Sequence, residues 1–360
     1  MIKIIIDPRS SYTYGSFYVF GMKKIFGSKN VHCSIRLFRA LGAIGNNMRF
    51  ILINGDKQTK YFIQADDEYH IIQSDYEWCD IYGHVNSNSA QNPCSTYPKI
   101  ISLAPSFGIR VDESLLYVML TSLIQLPSMW HYVLNAREWN KYTQQMECNR
   151  LSNMKHYFSR RFRTWKNRLP LSSYDYSIPS EDNYIFFLST LWYNNEWNKN
   201  DEGVNLRRAH FIRACKSIET CHFEGGLLGD KSSSNEKFAD VVTMQPVAFP
   251  DWIEKTKRSA LVFNTPAFWN CHGWKLGEYL ALGKCIVSTK LSNDLPYPLE
   301  HGKNIHFVDD NEESMREAIE YILAHPDYRH KLEQGAKEYW EKYGTPEASL
   351  RLLGIKASEK

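Results

Sequence analysis

At 360 residues the chain has room for about two domains with sizeable cores, which excludes a peptide or a disulfide miniprotein. Lys and Arg number 43 against 40 Asp and Glu, and the resulting +3 is too weak a field for a dedicated nucleic-acid binder, so any basic surface must be local. Hydrophobic residues at 43% exclude a disordered chain, and aromatic residues at 14% supply planes with polar handles that suit sugar or base recognition as well as cores.

In chain order, MIKIIIDPRS reads as a first strand; its apolar run before Asp7-Pro8 is too short for a signal-peptide core. Short β-branched runs follow at Arg49 to Ile53, Tyr61 to Gln64, Ile81 to Val85 and Lys99 to Leu103, predicting one α/β layer up to about residue 110. Residues 112–168 are helical in character, with Pro127 and Pro170 as punctuation. The stretch SSYDYSIPSEDNY, 172–184, has no apolar periodicity and predicts a linker. Strand and helix patterns then alternate: strands at Tyr184 to Leu188, Asp240 to Met244, Ala260 to Asn264, Cys285 to Thr289 and Asn304 to Val308, helices at Asn205 to Ile218, Pro250 to Lys257 and Gly273 to Leu282. That alternation predicts a parallel, doubly wound sheet. Asp310 and Glu313 resemble a capping box before an amphipathic helix that ends at His325-Pro326, and a last helix stops near Gly344 and Pro346.

The eight cysteines include no C-x-x-C pair, so no structural zinc is expected, and no apolar run reaches the roughly 18 residues of a membrane span. The expectation is a soluble cytoplasmic protein with reduced thiols. YFSRRFRTWKNRLP, 157–170, sets five basic residues among four aromatic ones. One reading is an apolar stripe of Phe158, Phe162 and Trp165 facing the core with the arginines in water; another is peripheral contact with an anionic membrane. Nucleic-acid binding by the same segment is a third.

The chemistry concentrates in ALVFNTPAFWNCHGWKLGEYLALGKCIVST, 260–289. A strand ends at Asn264, a loop carries Asn270, Cys271, His272 and Gly273, and a short helix follows; ligands bind at such strand ends. The helix start offers free N–H groups and a positive dipole end to a diphosphate, Gly273 allows close backbone approach, and Lys275 adds a cation. Glu278 lies about 160° from Leu276 around the helix and so points away from the core. A carboxylate there suits a ribose diol; the plainer reading is an exposed Lys275–Glu278 ion pair.

The run from Tyr184 to Gly344 resembles the donor-binding domain of GT-B glycosyltransferases of the family 1/family 4-like group, most closely in GWKLGEYLALGKCIVST and next in PLEHGKNIHFVDDNEESMREAIEYIL. The resemblance covers nearly half the chain; before residue 170 only a compatible α/β pattern stands. It implies an α/β, GT-B protein of two Rossmann-like domains facing a central cleft: an acceptor-binding domain with a helical extension over 1–171, a linker over 172–183, a donor-binding domain over 184–345 and a tail over 346–360. It further implies transfer of a sugar from a nucleotide diphosphate sugar to a glycan or lipid-linked glycan acceptor, with no bound metal or other cofactor and no nucleic-acid partner. By that resemblance Glu278 takes the ribose-binding position, and Lys275, Gly273, Trp274, Arg207 and Arg208 are donor-binding candidates, with Lys216 and a Gly225-Gly226 turn as further ones. Arg207 and Arg208 are adjacent, so only one faces a cleft. Retaining members carry a second Glu eight residues before the first; here that position is Asn270, a candidate donor contact, and the stereochemistry is left open. Trp192, Tyr193, Trp197, Trp269 and Trp274 would bracket the donor.

An inverting enzyme also needs a base from the first domain. Asp7, at the carboxyl end of the first strand, is the candidate catalytic residue; Asp80 and His84 are weaker ones, and His272 reads as a structural histidine. The alternatives are a nucleotide-sugar epimerase on the same fold, or a non-catalytic carbohydrate or nucleic-acid binding protein that keeps the scaffold.

Overall fold

The structure, a computed structural model, describes residues 2–42, 44–135, 138–140, 145–176, 178–192, 201–229 and 236–356. Its first strand, Ile2–Ile6 (β1), crosses through the helix Ser16–Phe26 (α1) to a parallel neighbour, Val31–Cys33 (β2). On its other side β1 pairs antiparallel with Met48–Asn54 (β3), in the register Ile4 to Leu52. Gly55, at φ +61°, turns β3 into its antiparallel partner Lys57–Gln64 (β4). The short helix Gln73–Trp78 (α2) leads to Ile81–His84 (β5), and Ile100–Ser102 (β6) closes a mixed six-stranded sheet of order β2-β1-β3-β4-β5-β6. Two helices follow, Leu115–Asn135 (α3) and Arg150–Asn167 (α4), separated by a small hairpin of Glu138–Asn140 (β7) and Gln145–Glu147 (β8). Pro127 lies inside α3 rather than ending it.

The second half begins with Tyr184–Thr190 (β9). Next come Asp201–Ser217 (α5), His222–Leu228 (β10), Val242–Thr243 (β11) and Phe249–Arg258 (α6). Val262–Asn264 (β12), Trp274–Ala281 (α7), Ile286–Thr289 (β13) and His306–Val308 (β14) complete the alternation. All its pairings are parallel. The Ala260 amide donates to the Tyr184 carbonyl at 2.7 Å, joining the two three-stranded ladders edge to edge in the order β11-β10-β9-β12-β13-β14. This is the doubly wound arrangement, with its switch point between β9 and β12. Both faces are covered, so its strands read as continuous apolar runs. The two halves are Rossmann-like α/β units facing a cleft, the GT-B architecture.

Three local expectations are corrected. Gly225 and Gly226 are not a turn: they sit within β10, at φ +126° and +150°, where a Cβ on Gly225 would lie 2.0 Å from the Phe187 carbonyl oxygen. The helix Glu312–Ala324 (α8) is capped by Asn311, whose side chain accepts from the Ser314 amide at 2.8 Å, rather than by a box of Asp310 and Glu313. After Pro326–Tyr339 (α9) and a π-turn, residues 346–352 are no loose tail: they form the helix Pro346–Leu352 (α10), which crosses back onto α1 so closely that a Cβ on Gly21 would sit 3.0 Å from Pro346 and Leu350.

The largest apolar core is shared by the halves, running from Ile4 and Phe17 through Phe107 and Tyr174 to Leu276, Leu280, Trp340 and Leu350. The centre of the contact is α7: a Cβ on Gly277 would stand 2.4 Å from the backbone oxygen of Pro105. Substitution Gly277→Ala is therefore expected to cost roughly 1–3 kcal/mol, read as a lower urea midpoint with an unchanged slope.

Candidate functional site

The carboxyl ends of β9, β10 and β12 contribute Leu188, Ser189, Thr190, Leu228, Asn264 and Thr265 to one wall of a cleft of about 880 Å³ between the halves. Parallel strands direct their last residues into the crevice at a switch point, which is why these positions gather there. The facing wall comes from Thr13 and Tyr14 after β1, Asp67 after β4, and Arg160 and Arg168 at the end of the helical extension.

The floor is the start of α7. Gly273 is its N-cap, in extended conformation with no side-chain cap, and Gly273, Trp274 and Lys275 all line the cleft. The first turn thus presents its N–H dipoles to the space where a ligand would lie. The Lys275 ammonium donates to the Leu188 carbonyl at 2.7 Å and sits 4.6 Å from the Phe187 ring centroid. Burial and the neighbouring Arg208 guanidinium lower it to about 7, with Glu278 opposing. Arg208, itself buried, donates to the Thr190 carbonyl at 3.0 Å. Arg168 lies 4.5 Å over the Trp274 ring, which Tyr14 meets edge-on at 4.8 Å. Four cations, Lys275, Arg160, Arg168 and Arg208, thus face one carboxylate, Asp67, among the described lining residues.

Glu278 does not line this cleft. Outward from its own domain core means toward the first half, which covers it: Glu278 is 4% exposed, with the Tyr174 hydroxyl 3.4 Å from its Oε1. Burial raises its carboxyl to about 7, against the pull of Arg168 and Lys275. Glu278 does point away from its own core, but protein rather than water stands there.

Other sequence candidates part from the cleft for equally physical reasons. Asp7 is fully buried in a cage of its own, its carboxylate accepting from Arg9 at 2.7 Å with Arg49 at 3.7 Å, and it lines a separate cavity of the first half beside His32 and Cys33. Of the arginine pair, Arg208 faces the cleft while Arg207 turns aside to Thr265 (2.8 Å) and Asp310 (3.7 Å). Asn270 is exposed at φ +61° outside the lining, its carbonyl accepting from Asn293 at 3.2 Å. Lys216 donates to the Asp240 carbonyl on the outer surface. His84 and His272 are buried, each lowered to about 4 by that burial and hydrogen-bonded to carbonyls, and Asp80 is exposed. Trp192, Trp269 and Trp274 line the cleft, and Tyr193 and Trp197 lie outside the described residues.

Among the lining residues that the sequence did not point to, with Tyr14, Arg160 and Arg168, is Asp67. It is half-buried at the carboxyl end of β4, and burial, reinforced by Asp66 and Glu68, raises its carboxyl while the Cys271 thiol opposes. The available signal was Asp66-Asp67-Glu68 directly after the strand ending at Gln64, the same strand-end rule that had pointed to Asp7.

No family model matches the chain, and no curated protein does. Among solved structures it is similar to a glycosyltransferase from Rickettsia africae, at 11% identity over 94% of this chain and 79% of that one, TM-score 0.41. It is also similar to the UDP-N-acetylglucosamine 2-epimerase of Neisseria meningitidis bound to UDP-N-acetylglucosamine, at 14% identity over 75% and 62%, TM-score 0.36. A third similarity is to TarM, at 14% identity over 50% and 36%, TM-score 0.34. The chain spans less than two thirds of the latter two. Its structural neighbours are thus glycosyltransferases and UDP-N-acetylglucosamine 2-epimerases.

The buried Glu278 makes a testable claim. A carboxyl raised on folding contributes stability that is complete below its unfolded value of about 4.5 and is lost as pH rises through about 7. Glu278→Gln should match the parent near pH 5 and exceed it near pH 8 by on the order of 2–3 kcal/mol, seen as a higher Tm only at the upper pH.

Proposed function

We propose that the protein is a glycosyltransferase that takes a sugar from a nucleotide diphosphate sugar to a glycan or lipid-linked glycan acceptor. The observation that carries this is the uncapped start of α7 opening on the cleft with Lys275 and Arg208 at the carboxyl ends of the parallel strands. A diphosphate is the anionic complement of this arrangement. In the proposed mechanism the leaving diphosphate develops charge against the α7 dipole, Lys275 and Arg208, which meet it without calling for a metal ion. Trp192, Trp269 and Trp274 give planes for a base or sugar ring. Glu278 acts from behind α7, favouring the charged form of Lys275.

On the facing wall Asp67 takes the role first expected of Asp7. Its raised carboxyl and its place on the cleft wall, beside Cys271 of the donor loop, suit a base that receives the acceptor's hydroxyl proton as the new glycosidic bond forms.

A thermal-shift panel of UDP, GDP, CMP and their sugars tests the donor half: one nucleotide class should stabilise the protein by about 2.7 kcal/mol at a hundredfold excess over Kd. Arg208→Ala and Lys275→Met should abolish the rise, and the absence of any stabilising nucleotide would refute the reading. Because burial lowers the free lysine to about 7, affinity should weaken by up to about tenfold per pH unit above that value, and Lys275→Arg, which stays charged, should lose this dependence. Asp67→Asn should keep the nucleotide-induced rise and cut transfer by roughly a hundredfold or more. Product analysis with the donor alone separates transfer from epimerisation.

A further inference from the structure

Among the described residues the helix α3 stands apart as a surface element. Its sequence, LLYVMLTSLIQLPSMWHYVLN, has no charged residue, and only one face is used for packing: Val118, Ser122, Met129 and Val133 are buried against the body and α4. The outer face is apolar and in water. Leu116 is 69% exposed and Ile124 76%, with Leu120, Leu123 and Trp130 each about half exposed. Contiguous exposed apolar surface of this kind marks an interaction site rather than ordinary surface. The two hydroxyls in the middle of the helix are internally satisfied, Thr121 donating to the Tyr117 carbonyl at 2.8 Å and Ser122 to the Val118 carbonyl at 2.6 Å, so neither opposes an apolar environment.

The helix α4 extends that face and changes its character. The expected core stripe of Phe158, Phe162 and Trp165 is corrected here: the buried line is Asn153, Tyr157, Arg161 and Thr164, with Arg161 3.8 Å over the Tyr157 ring and bonded to Gln125 of α3. Of the stripe, Phe158 packs partly on the α3–α4 core and Trp165 donates to the Glu113 carbonyl, while Phe162 is exposed on the outer side, where Leu151 is 84% exposed. At about 100° per residue, Leu151, Phe158 and Phe162 lie within roughly 40° of one another, and Lys155, Lys166 and Arg163 follow round the same surface. All three cations are exposed, and α4 contains no acidic residue to balance them.

We propose that the α3–α4 face docks on an anionic phospholipid bilayer. The helix α3 lies in the interfacial plane with Leu116, Leu120, Leu123 and Ile124 at the acyl boundary, while Lys155, Arg163 and Lys166 meet headgroup phosphates. Charge selects this occupant. Against a second copy of the chain about a two-fold axis, the unbalanced basic edge would meet itself, whereas an anionic leaflet is its complement. No helix among the described residues is long and apolar enough to cross a membrane, so the contact is peripheral. The inference rests on this surface alone and stands apart from the donor-site reading, since its test involves neither nucleotide nor turnover.

The test is sedimentation of the full chain with vesicles of phosphatidylcholine alone or mixed with phosphatidylglycerol, at low and high salt. The protein should partition onto the mixed vesicles at low salt and remain in solution with phosphatidylcholine alone. Reversing Arg163 or Lys166 to Glu should weaken partition roughly fivefold per residue. Leu120→Glu and Leu123→Glu should each weaken it about tenfold or more. All four positions are exposed, and unchanged thermal unfolding of the variants would place the loss in the contact itself. Four results would overturn the proposal: no partition onto anionic vesicles; partition that ignores the leucine variants; a concentration-dependent dimer in light scattering that the same leucine variants dissolve; or retention on single-stranded oligonucleotide without vesicle binding.

Discussion

The arrangement of the site depends on how closely one short helix is held. Helix α7 buries Leu276, Tyr279 and Leu280 in the core of the second half, and the absence of a side chain at Gly277 lets its opposite face lie on the Pro105 backbone. A helix confined on both sides can neither roll nor slide without opening a void or a clash. Its amino end is then fixed with respect to β9, to which the Lys275–Leu188 bond ties it. The cleft inherits its geometry from packing several residues away from any ligand.

That confinement has an electrostatic side. Burial pushes Lys275 down and Glu278 up, each to about 7, and the charge of each opposes the other's shift. A nearby anion stabilises the protonated lysine and its repulsion disfavours the ionised Glu278, so ligand charge sets the protonation of both groups.

The parallel sheet of the second half was legible in its sequence because strands covered on both faces appear as unbroken apolar runs, and α7 because its apolar positions repeat at helical spacing. What lay beyond reach was set by the other half. Glu278 lies on the side of α7 away from its own core, and only the position of Pro105 and Tyr174 makes that side buried. Asp7 satisfies the strand-end rule as well as Asp67 does; Arg9 and Arg49, brought in from a loop and a neighbouring strand, decide that it is caged. The glycines of β10 look like a turn because their reason, the nearness of the Phe187 carbonyl, lies on another strand. On α4 the apolar periodicity marks the wrong face: the body covers the line of Asn153, Tyr157, Arg161 and Thr164, whose polar groups find partners there.

The return of α10 to α1 completes a second strand of connection between the halves. The chain passes from first to second through 168–184 and comes home through 340–346, and the shared core with Phe17, Phe107 and Trp340 lies at this join. Two bodies tied at a single point swivel freely; tied at two, they retain one easy rotation, about the line through both ties. With aromatic rings packed at that join, the walls of the cleft are held in alignment where a single linker would let them swivel.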